Sequence, residues 1–181
     1  MYVIASLLDT YASRKIQELW NYLESDCGLS GIKETPLPHF TWQGANDYQF
    51  PQVTEVLQRI ASETSPFSVK TAGLGIFTSE NPILYLSLVK TMPMIEAHRK
   101  IWDAVEPKAD RLIEYYAPDS WMPHITLAYH DLDRYNLPCA FSKLCFLPFD
   151  FEITVNNIAV LYQINQQVGL KEEHVFDQKT N

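Results

Sequence analysis

The chain has 181 residues, of which 46% are hydrophobic and 20% charged, and its formal net charge at pH 7 is -8. This length suits one domain, and an aromatic content of 13% excludes intrinsic disorder of the whole chain. Because 22 acidic residues outnumber 14 basic ones, a broad basic surface for a long nucleic acid is disfavoured, whereas a small phosphorylated ligand remains compatible with the charge.

The first half of the chain predicts the element order βαβαβ. A short β-branched and aliphatic run at residues 2–8 indicates a strand, and a helical pattern follows with Ser13 as its predicted N-cap. Residues 39–42 predict a second strand. Pro51 opens a second helix, and residues 67–77 predict a longer strand.

The second half repeats this order. Residues 83–89 alternate as a strand, and Met92–Val105 carries apolar residues at helical spacing. A strand at residues 124–127, a short helix near 132–144 and a strand over 151–162 complete the half. The spacing of equivalent elements is similar in the two halves, which indicates an internal repeat.

This layout predicts one domain over residues 1–181, with repeated halves at about 1–78 and 83–162. Residues 170–176 are predicted as a possible edge strand. Connections of this length favour two sheets that face each other with helices outside. A concave site would then lie between the sheets, along the middle strand of each half.

Three cysteines occur, at positions 27, 139 and 145, without a Cys-x-x-Cys pair. An odd number without this pair argues against a disulfide framework and against a thiolate zinc site. We therefore expect all three to be small buried side chains in a reducing compartment. Since no apolar run reaches the length of a membrane span and the N-terminus lacks signal-peptide features, a cytoplasmic protein without membrane attachment is predicted.

Each middle strand carries the motif Pro-His-x-Thr, at residues 38–41 in the first half and 123–126 in the second. Residues i and i+2 of a strand point to one face, so His39 and Thr41 project together. His124 and Thr126 do the same in the second copy. The intervening residues are large and apolar and would pack against helices.

Two histidines that face each other across a cleft can perform general acid-base chemistry. An imidazole titrates near neutral pH, so one ring can activate a hydroxyl nucleophile while the other protonates a leaving oxygen. The threonine hydroxyls can donate hydrogen bonds to phosphate oxygens. This arrangement predicts no metal and no cofactor, and the scattered carboxylates do not suggest a two-metal nuclease.

With these two motifs and this element order, the chain resembles the 2H phosphoesterase superfamily, over about residues 2–176. The resemblance implies an α+β, duplicated bilobal fold with two antiparallel sheets beside a central cleft. It also implies that His39 and His124 are the catalytic acid and base and that Thr41 and Thr126 bind the substrate phosphate. Which histidine is the acid is left open.

The leading hypothesis is a metal-independent phosphodiesterase that acts on a 2′,3′-cyclic phosphate, or a related cyclic or 2′-5′ linkage, at a nucleotide or RNA end. The alternatives are a 2′-5′ RNA ligase, which runs the same chemistry in reverse, and a nucleotide-binding module without catalysis. The acidic charge favours small substrates. We expect a monomer.

The other histidines, His98, His130 and His174, have no motif partner and are predicted to have surface or packing roles. Lys70 and Lys90 could reach a phosphate, although solvated strand lysines are commoner. Several aromatic side chains could stack on a nucleobase, although aromatic side chains in such a chain are more often part of the core. These are Trp42, Phe77, Tyr85, Trp121 and Tyr129.

Overall fold

The computed structural model describes residues 1–165 and 167–177. Over these residues the strands are β1 (Tyr2–Leu7), β2 (His39–Tyr48), β3 (Phe67–Phe77), β4 (Ile83–Leu88), β5 (Ala109–Leu112), β6 (His124–Ala128), β7 (Glu152–Val155), β8 (Asn157–Ile164) and β9 (Gln167–Val175). The α-helices are α1 (Thr10–Cys27), α2 (Gln52–Glu63), α3 (Met92–Val105) and α4 (Leu137–Leu144).

The strands form two antiparallel sheets. The first sheet has the order β5-β2-β1-β8-β9, and the second has the order β6-β4-β3-β7. Helices α2 and α3 pack against strands of the first sheet, while α1 packs against β6 and β7 of the second. This arrangement confirms the predicted α+β fold with two sheets and outer helices. Within the described residues, no helix is long and apolar enough to cross a membrane.

Each sheet contains strands from both halves of the sequence. The last strand of the first half, β3, pairs with β4 of the second half, and β8 of the second half pairs with β1 of the first. Helix α1 also crosses between the sheets, because it follows β1 of the first sheet and yet packs on the second. The two motif strands, β2 and β6, consequently contact each other across the two sheets.

The single strand predicted over 151–162 is wrong, because β7 and β8 lie in different sheets. The side chain of Asn157 fixes the crossing, since it accepts from the Leu7 amide at 2.8 Å and donates to the Leu7 carbonyl at 2.9 Å. Strand β9 covers most of the predicted edge strand at 170–176 and pairs with β8 at the edge of the first sheet.

The start of α1 differs from the prediction. Asp9, not Ser13, is the N-cap: its carboxylate accepts a hydrogen bond from the Ala12 amide at 2.9 Å. The Ser13 hydroxyl instead donates to the carbonyl of Leu8 at 2.9 Å. The other carboxylate oxygen of Asp9 accepts from the Thr154 amide at 2.7 Å, so this cap also joins α1 to β7.

The cysteine prediction is also wrong. Cys27, at the end of α1, forms a disulfide with Cys139 in α4, across a sequence separation of 112 residues. Cys145 is free and exposed rather than buried. The bond forms because α1 and α4 pack side by side, a contact between the two halves that residue spacing alone does not reveal.

Candidate active site

The two motif strands alternate as predicted. In β2, Phe40 and Trp42 are 1% and 0% exposed, and in β6, Ile125 and Leu127 are both fully buried. These apolar side chains belong to the hydrophobic core. The polar residues between them are therefore directed to the opposite face of each sheet.

A cavity of about 200 Å³ lies between the two sheets. Its lining includes His39 and Thr41 from β2 and His124 and Thr126 from β6. The structure thus brings all four predicted site residues to one cavity. The rest of the lining is mainly aromatic and aliphatic. It includes Tyr116, Tyr129, Tyr162, Ile83 and Leu161.

Both histidines are anchored in the same way. The Nδ1 atom of His39 lies 2.7 Å from the carbonyl oxygen of Leu37, and Nδ1 of His124 lies 2.7 Å from the carbonyl oxygen of Met122. A carbonyl oxygen can only accept, so Nδ1 carries the proton in each ring. The neutral rings therefore keep Nε2 free to accept a proton from a ligand in the cavity.

The surroundings of both rings disfavour the charged imidazolium. Burial lowers the pKa of His39 below its usual 6.5, opposed by the hydrogen bond to Leu37. Burial likewise lowers the pKa of His124, and the charge of His39 lowers it further. A proton on His39 therefore disfavours a second proton on His124.

Two tryptophans hold the backbone of the motif threonines, a role that the local sequence does not indicate. The indole of Trp20, in α1, donates to the Thr126 carbonyl at 3.0 Å, and the indole of Trp121 donates to the Thr41 carbonyl at 2.9 Å. Trp20 belongs to the buried stripe of α1, which marks it as core but gives no sign of its partner.

The histidines without a motif lie outside the cavity lining. His98 is buried, and its Nε2 lies 3.0 Å from the Trp42 carbonyl oxygen. Burial lowers its pKa to about 4, so it is neutral and serves packing, as predicted. His130 is exposed beside Glu34, and His174 lies in β9.

The predicted aromatic candidates divide between core and cavity. Trp42 and Trp121 are 0% and 2% exposed and lie in the core, while Tyr129 lines the cavity. Phe77 and Tyr85 pack against the His124 ring, with centroids 4.8 and 5.2 Å from it. Both rings therefore contact His124 and do not present an open face on which a nucleobase could stack.

Positive charge is scarce around this cavity. Over the part of the chain that the structure describes, its lining includes no lysine or arginine. Lys70 and Lys90 are exposed and do not line it, and the Lys90 ammonium lies 5.9 Å from the Trp121 ring centroid instead. Within residues 1–165 and 167–177, no three His, Cys, Asp or Glu side chains are grouped to hold a metal ion.

Known proteins share this fold. The structure superimposes on the protein TT0787 of Thermus thermophilus with a TM-score of 0.63, at 15% identity over 99% of both chains. It superimposes on Escherichia coli LigT in complex with 3′-AMP with a TM-score of 0.58, at 11% identity over 98% of both chains. At these identities, the likeness shows the fold alone.

Sequence comparison gives the family. A Geobacillus thermodenitrificans protein named "Putative phosphoesterase" is 25% identical over 130 residues, which is 70% of each chain. A related protein of Geobacillus kaustophilus matches to the same extent. The family model of the 2′-5′ RNA ligase superfamily matches residues 10–167, a range that includes both Pro-His-x-Thr motifs. The chain therefore belongs to the 2′-5′ RNA ligase superfamily, that is, to the 2H phosphoesterases.

Proposed function

We propose that the protein is a phosphodiesterase that opens a 2′,3′-cyclic phosphate, or a related cyclic or 2′-5′ linkage, on a nucleotide or RNA end without a metal ion. One observation carries the proposal. His39 and His124 line one cavity, each with Nδ1 held by a backbone carbonyl and Nε2 free, beside Thr41 and Thr126. The phosphoesterase name of the relatives and the 3′-AMP bound to LigT support it.

In this mechanism the neutral histidine takes a proton from water through Nε2 as the water oxygen attacks phosphorus. The bond between phosphorus and the 2′ or 3′ oxygen breaks, and the protonated histidine gives its proton to that oxygen. A phosphomonoester results, and the two imidazoles have exchanged protonation states. The Thr41 and Thr126 hydroxyls donate to the non-bridging oxygens, where negative charge increases in the transition state.

The cavity favours a small substrate over a long RNA. Its volume of about 200 Å³ and its largely apolar lining suit a single nucleotide unit, and no lysine or arginine among the described lining residues is available for further phosphates. The net charge of -8 repels a polyanion in addition. We therefore infer that a nucleotide with one cyclic phosphate is the preferred ligand class.

Ligation is the second candidate, because the family includes 2′-5′ RNA ligases by name. In that reaction a terminal RNA hydroxyl replaces water as the nucleophile, and no ATP is needed. The same two histidines would keep their roles, one as the base for the attacking hydroxyl and the other as the acid for the leaving oxygen. The acidic net charge and the lack of lysine and arginine among the described lining residues argue against ligation of RNA as the main activity.

The test is a substrate panel in the presence of a strong chelator. Purified protein is incubated with 2′,3′-cyclic nucleotides, a cyclic ADP-ribose phosphate and RNA ending in a cyclic phosphate, the last with and without an RNA carrying a free terminal hydroxyl. We expect the cyclic nucleotides to be opened at an undiminished rate in chelator. Loss of all turnover in chelator contradicts the metal-free mechanism, binding without turnover identifies a binding module, and joined RNA identifies a ligase.

The rate should depend on pH in a defined direction. Catalysis needs one proton shared between His39 and His124, because one ring must then be the acid and the other the base. The pKa of each histidine lies below the usual 6.5. We therefore expect kcat/KM to have its maximum below pH 6.5 and to fall on the alkaline side, where the acid loses its proton. A profile measured from pH 4.5 to 8.5 checks this, and one that is flat from pH 5 to 8 would contradict two titrating imidazoles.

A further inference from the structure

The imidazole of His124 is packed against aromatic rings, whereas that of His39 is not. The Phe77 ring of β3 meets it edge to face, with centroids 4.8 Å apart and planes at 79°. The Tyr85 ring of β4 lies 5.2 Å from it, with planes at 57°. Among the residues described, no aromatic ring contacts His39 in this way. The two motif histidines thus share a hydrogen-bond pattern but differ in the packing of their rings.

Phe77 and Tyr85 form one packed unit, the aromatic pair. Their rings stack with centroids 4.1 Å apart and planes at 25°. Tyr115, in the turn Glu114–Tyr116, contacts Phe77 edge to face at a centroid distance of 5.1 Å. Stacked and edge-to-face contacts are the arrangements that aromatic rings prefer. Phe77 therefore has ring contacts with Tyr85, Tyr115 and His124, and these contacts fix the plane of its ring.

Gly75 leaves the space in which Tyr85 lies. It is opposite Tyr85 in the pairing of β3 with β4. A Cβ atom at Gly75 would lie 2.4 Å from Cζ of Tyr85 and 2.5 Å from its hydroxyl oxygen, closer than real side chains approach. Tyr85 therefore lies across β3 at a position without a side chain. It is 6% exposed, so contacts within the protein hold this ring.

The second histidine depends more on such packing than the first. The Nδ1 atom of His124 is anchored by the carbonyl of Met122, a residue that is 46% exposed, and this hydrogen bond is open to water. The equivalent bond of His39 to Leu37 is partly buried. Water competes for an exposed hydrogen bond, and a bond at one ring atom does not by itself fix the plane of the ring. Contacts along the His124 ring fix what the exposed bond leaves free.

We propose that Phe77 and Tyr85 are positioning residues for His124: their rings hold the imidazole plane so that Nδ1 stays on the Met122 carbonyl and Nε2 stays directed into the cavity. The inference rests on the proposed function, since the position of Nε2 matters for proton transfer to the substrate. It adds two residues outside both motifs, which act through His124. A reaction rate falls steeply when a reacting group is misplaced by about 1 Å.

The first test is a kinetic comparison of variants that delete a ring with one that keeps it. Phe77→Leu and Tyr85→Leu should each lower kcat for adenosine 2′,3′-cyclic phosphate about 10-fold with little change in KM, because the motif threonines are unchanged. Tyr85→Phe, which keeps the ring, should recover most of this loss. A loss in Tyr85→Phe equal to that in Tyr85→Leu would overturn the inference, because the hydroxyl group and not the ring would then matter.

Phe67→Leu is the matched control. Phe67 lies at the other end of β3 and loses the same ring, which stacks on Phe176 with centroids 6.4 Å apart. We expect the kcat of this variant to equal that of the parent at a temperature well below unfolding. An equal fall of kcat in Phe67→Leu and Phe77→Leu would contradict the positioning role, because the loss would then reflect general destabilisation.

A further variant moves the Tyr85 ring without removing it. Gly75→Ala keeps both aromatic residues, and Gly75 does not have a positive φ, so its backbone is compatible with alanine. The added Cβ displaces the Tyr85 ring. We expect Gly75→Ala to lower kcat in the parent protein and to have little further effect in Tyr85→Leu, where no ring has to move. Equal losses in both backgrounds would overturn the role of Tyr85.

The most specific readout is the tautomer of each histidine. Long-range proton–nitrogen correlation NMR at pH 8 measures it, because both pKa values lie below 6.5 and the rings are then neutral. In the parent protein both rings should carry the proton on Nδ1. In Phe77→Leu, His124 should become a mixture of the Nδ1–H and Nε2–H forms, while His39 keeps the Nδ1–H form. An unchanged His124 tautomer overturns the inference even if kcat falls.

The tautomer measurement needs no substrate, so failure of the proposed function gives a different result from failure of the positioning role. If the parent protein opens no cyclic phosphate, the proposed hydrolysis fails, and the tautomers alone decide on Phe77 and Tyr85. A mixed His124 tautomer in Phe77→Leu then supports the positioning role. If the parent protein is active and both ring-deleting variants keep its kcat, the positioning role is wrong.

Discussion

His39→Ala and His124→Ala should each lower the turnover of a 2′,3′-cyclic nucleotide by a factor of about 10² to 10⁴. Each removes an imidazole whose Nδ1 is fixed by a backbone carbonyl at 2.7 Å, and with it the group that carries the proton on that side of the cavity. The double variant should lose little more than either single variant, because acid and base act in one step.

The measurement is the initial rate at saturating substrate, with circular dichroism and melting temperature as checks on the fold. His130→Asn is the matched control. His130 is exposed, outside the cavity lining, and has a positive φ of 74°, a conformation that asparagine tolerates. If either cavity variant kept near-parental turnover, that histidine would be neither the acid nor the base.

Removal of the disulfide should have the second largest effect, on stability rather than on rate. Cys27→Ser, or reduction of the bond, should lower the free energy of unfolding by about 2–5 kcal/mol, because the bond closes a loop of more than a hundred residues in the unfolded chain. Neither cysteine lines the cavity, so kcat at a temperature well below unfolding should change little.

Denaturant unfolding with and without a reductant measures this difference, with Cys145→Ser as the control because Cys145 is free and exposed. The denatured, unreduced protein should contain one free thiol, and the reduced protein three. Three thiols before reduction would contradict the disulfide and would agree with the expectation from the sequence that all three cysteines are reduced. Disulfides persist mainly in oxidising compartments, so this count also bears on the predicted cytoplasmic location.

The parts of the fold that follow local periodicity could be predicted from the sequence. The bounds of α3 agree with the prediction, because its apolar residues recur at helical spacing and a threonine side chain caps its start. The motif strands were also identified, since Phe40 and Trp42 alternate with His39 and Thr41 in the manner of a strand buried on one face. The same alternation put four polar residues into one cavity.

What the sequence could not predict depends on contacts between distant segments. The break at Asn156, between β7 and β8, arises because these strands join different sheets, and the local sequence does not show which sheet each strand joins. The pairing of Cys27 with Cys139 requires α1 and α4 to be neighbours, a consequence of α1 crossing to the second sheet.

Tyr116 illustrates the same limit at the candidate site. It lies in a short 3-10 turn without periodicity, 75 positions from Thr41 in the chain, and nothing in its local sequence relates it to the first motif. Hydrogen bonds of Ile113, His98 and Trp121 bring its segment over β2.

The central claim is that one phosphate is held between the two histidines. A crystal structure of the protein with 3′-AMP, grown in the presence of chelator, tests it most directly. We predict the phosphorus atom between Nε2 of His39 and Nε2 of His124, with phosphate oxygens within about 3.2 Å of the Thr41 and Thr126 hydroxyls. A 3′-AMP bound with its phosphate outside this cavity, or held by only one of the two motifs, would contradict the claim.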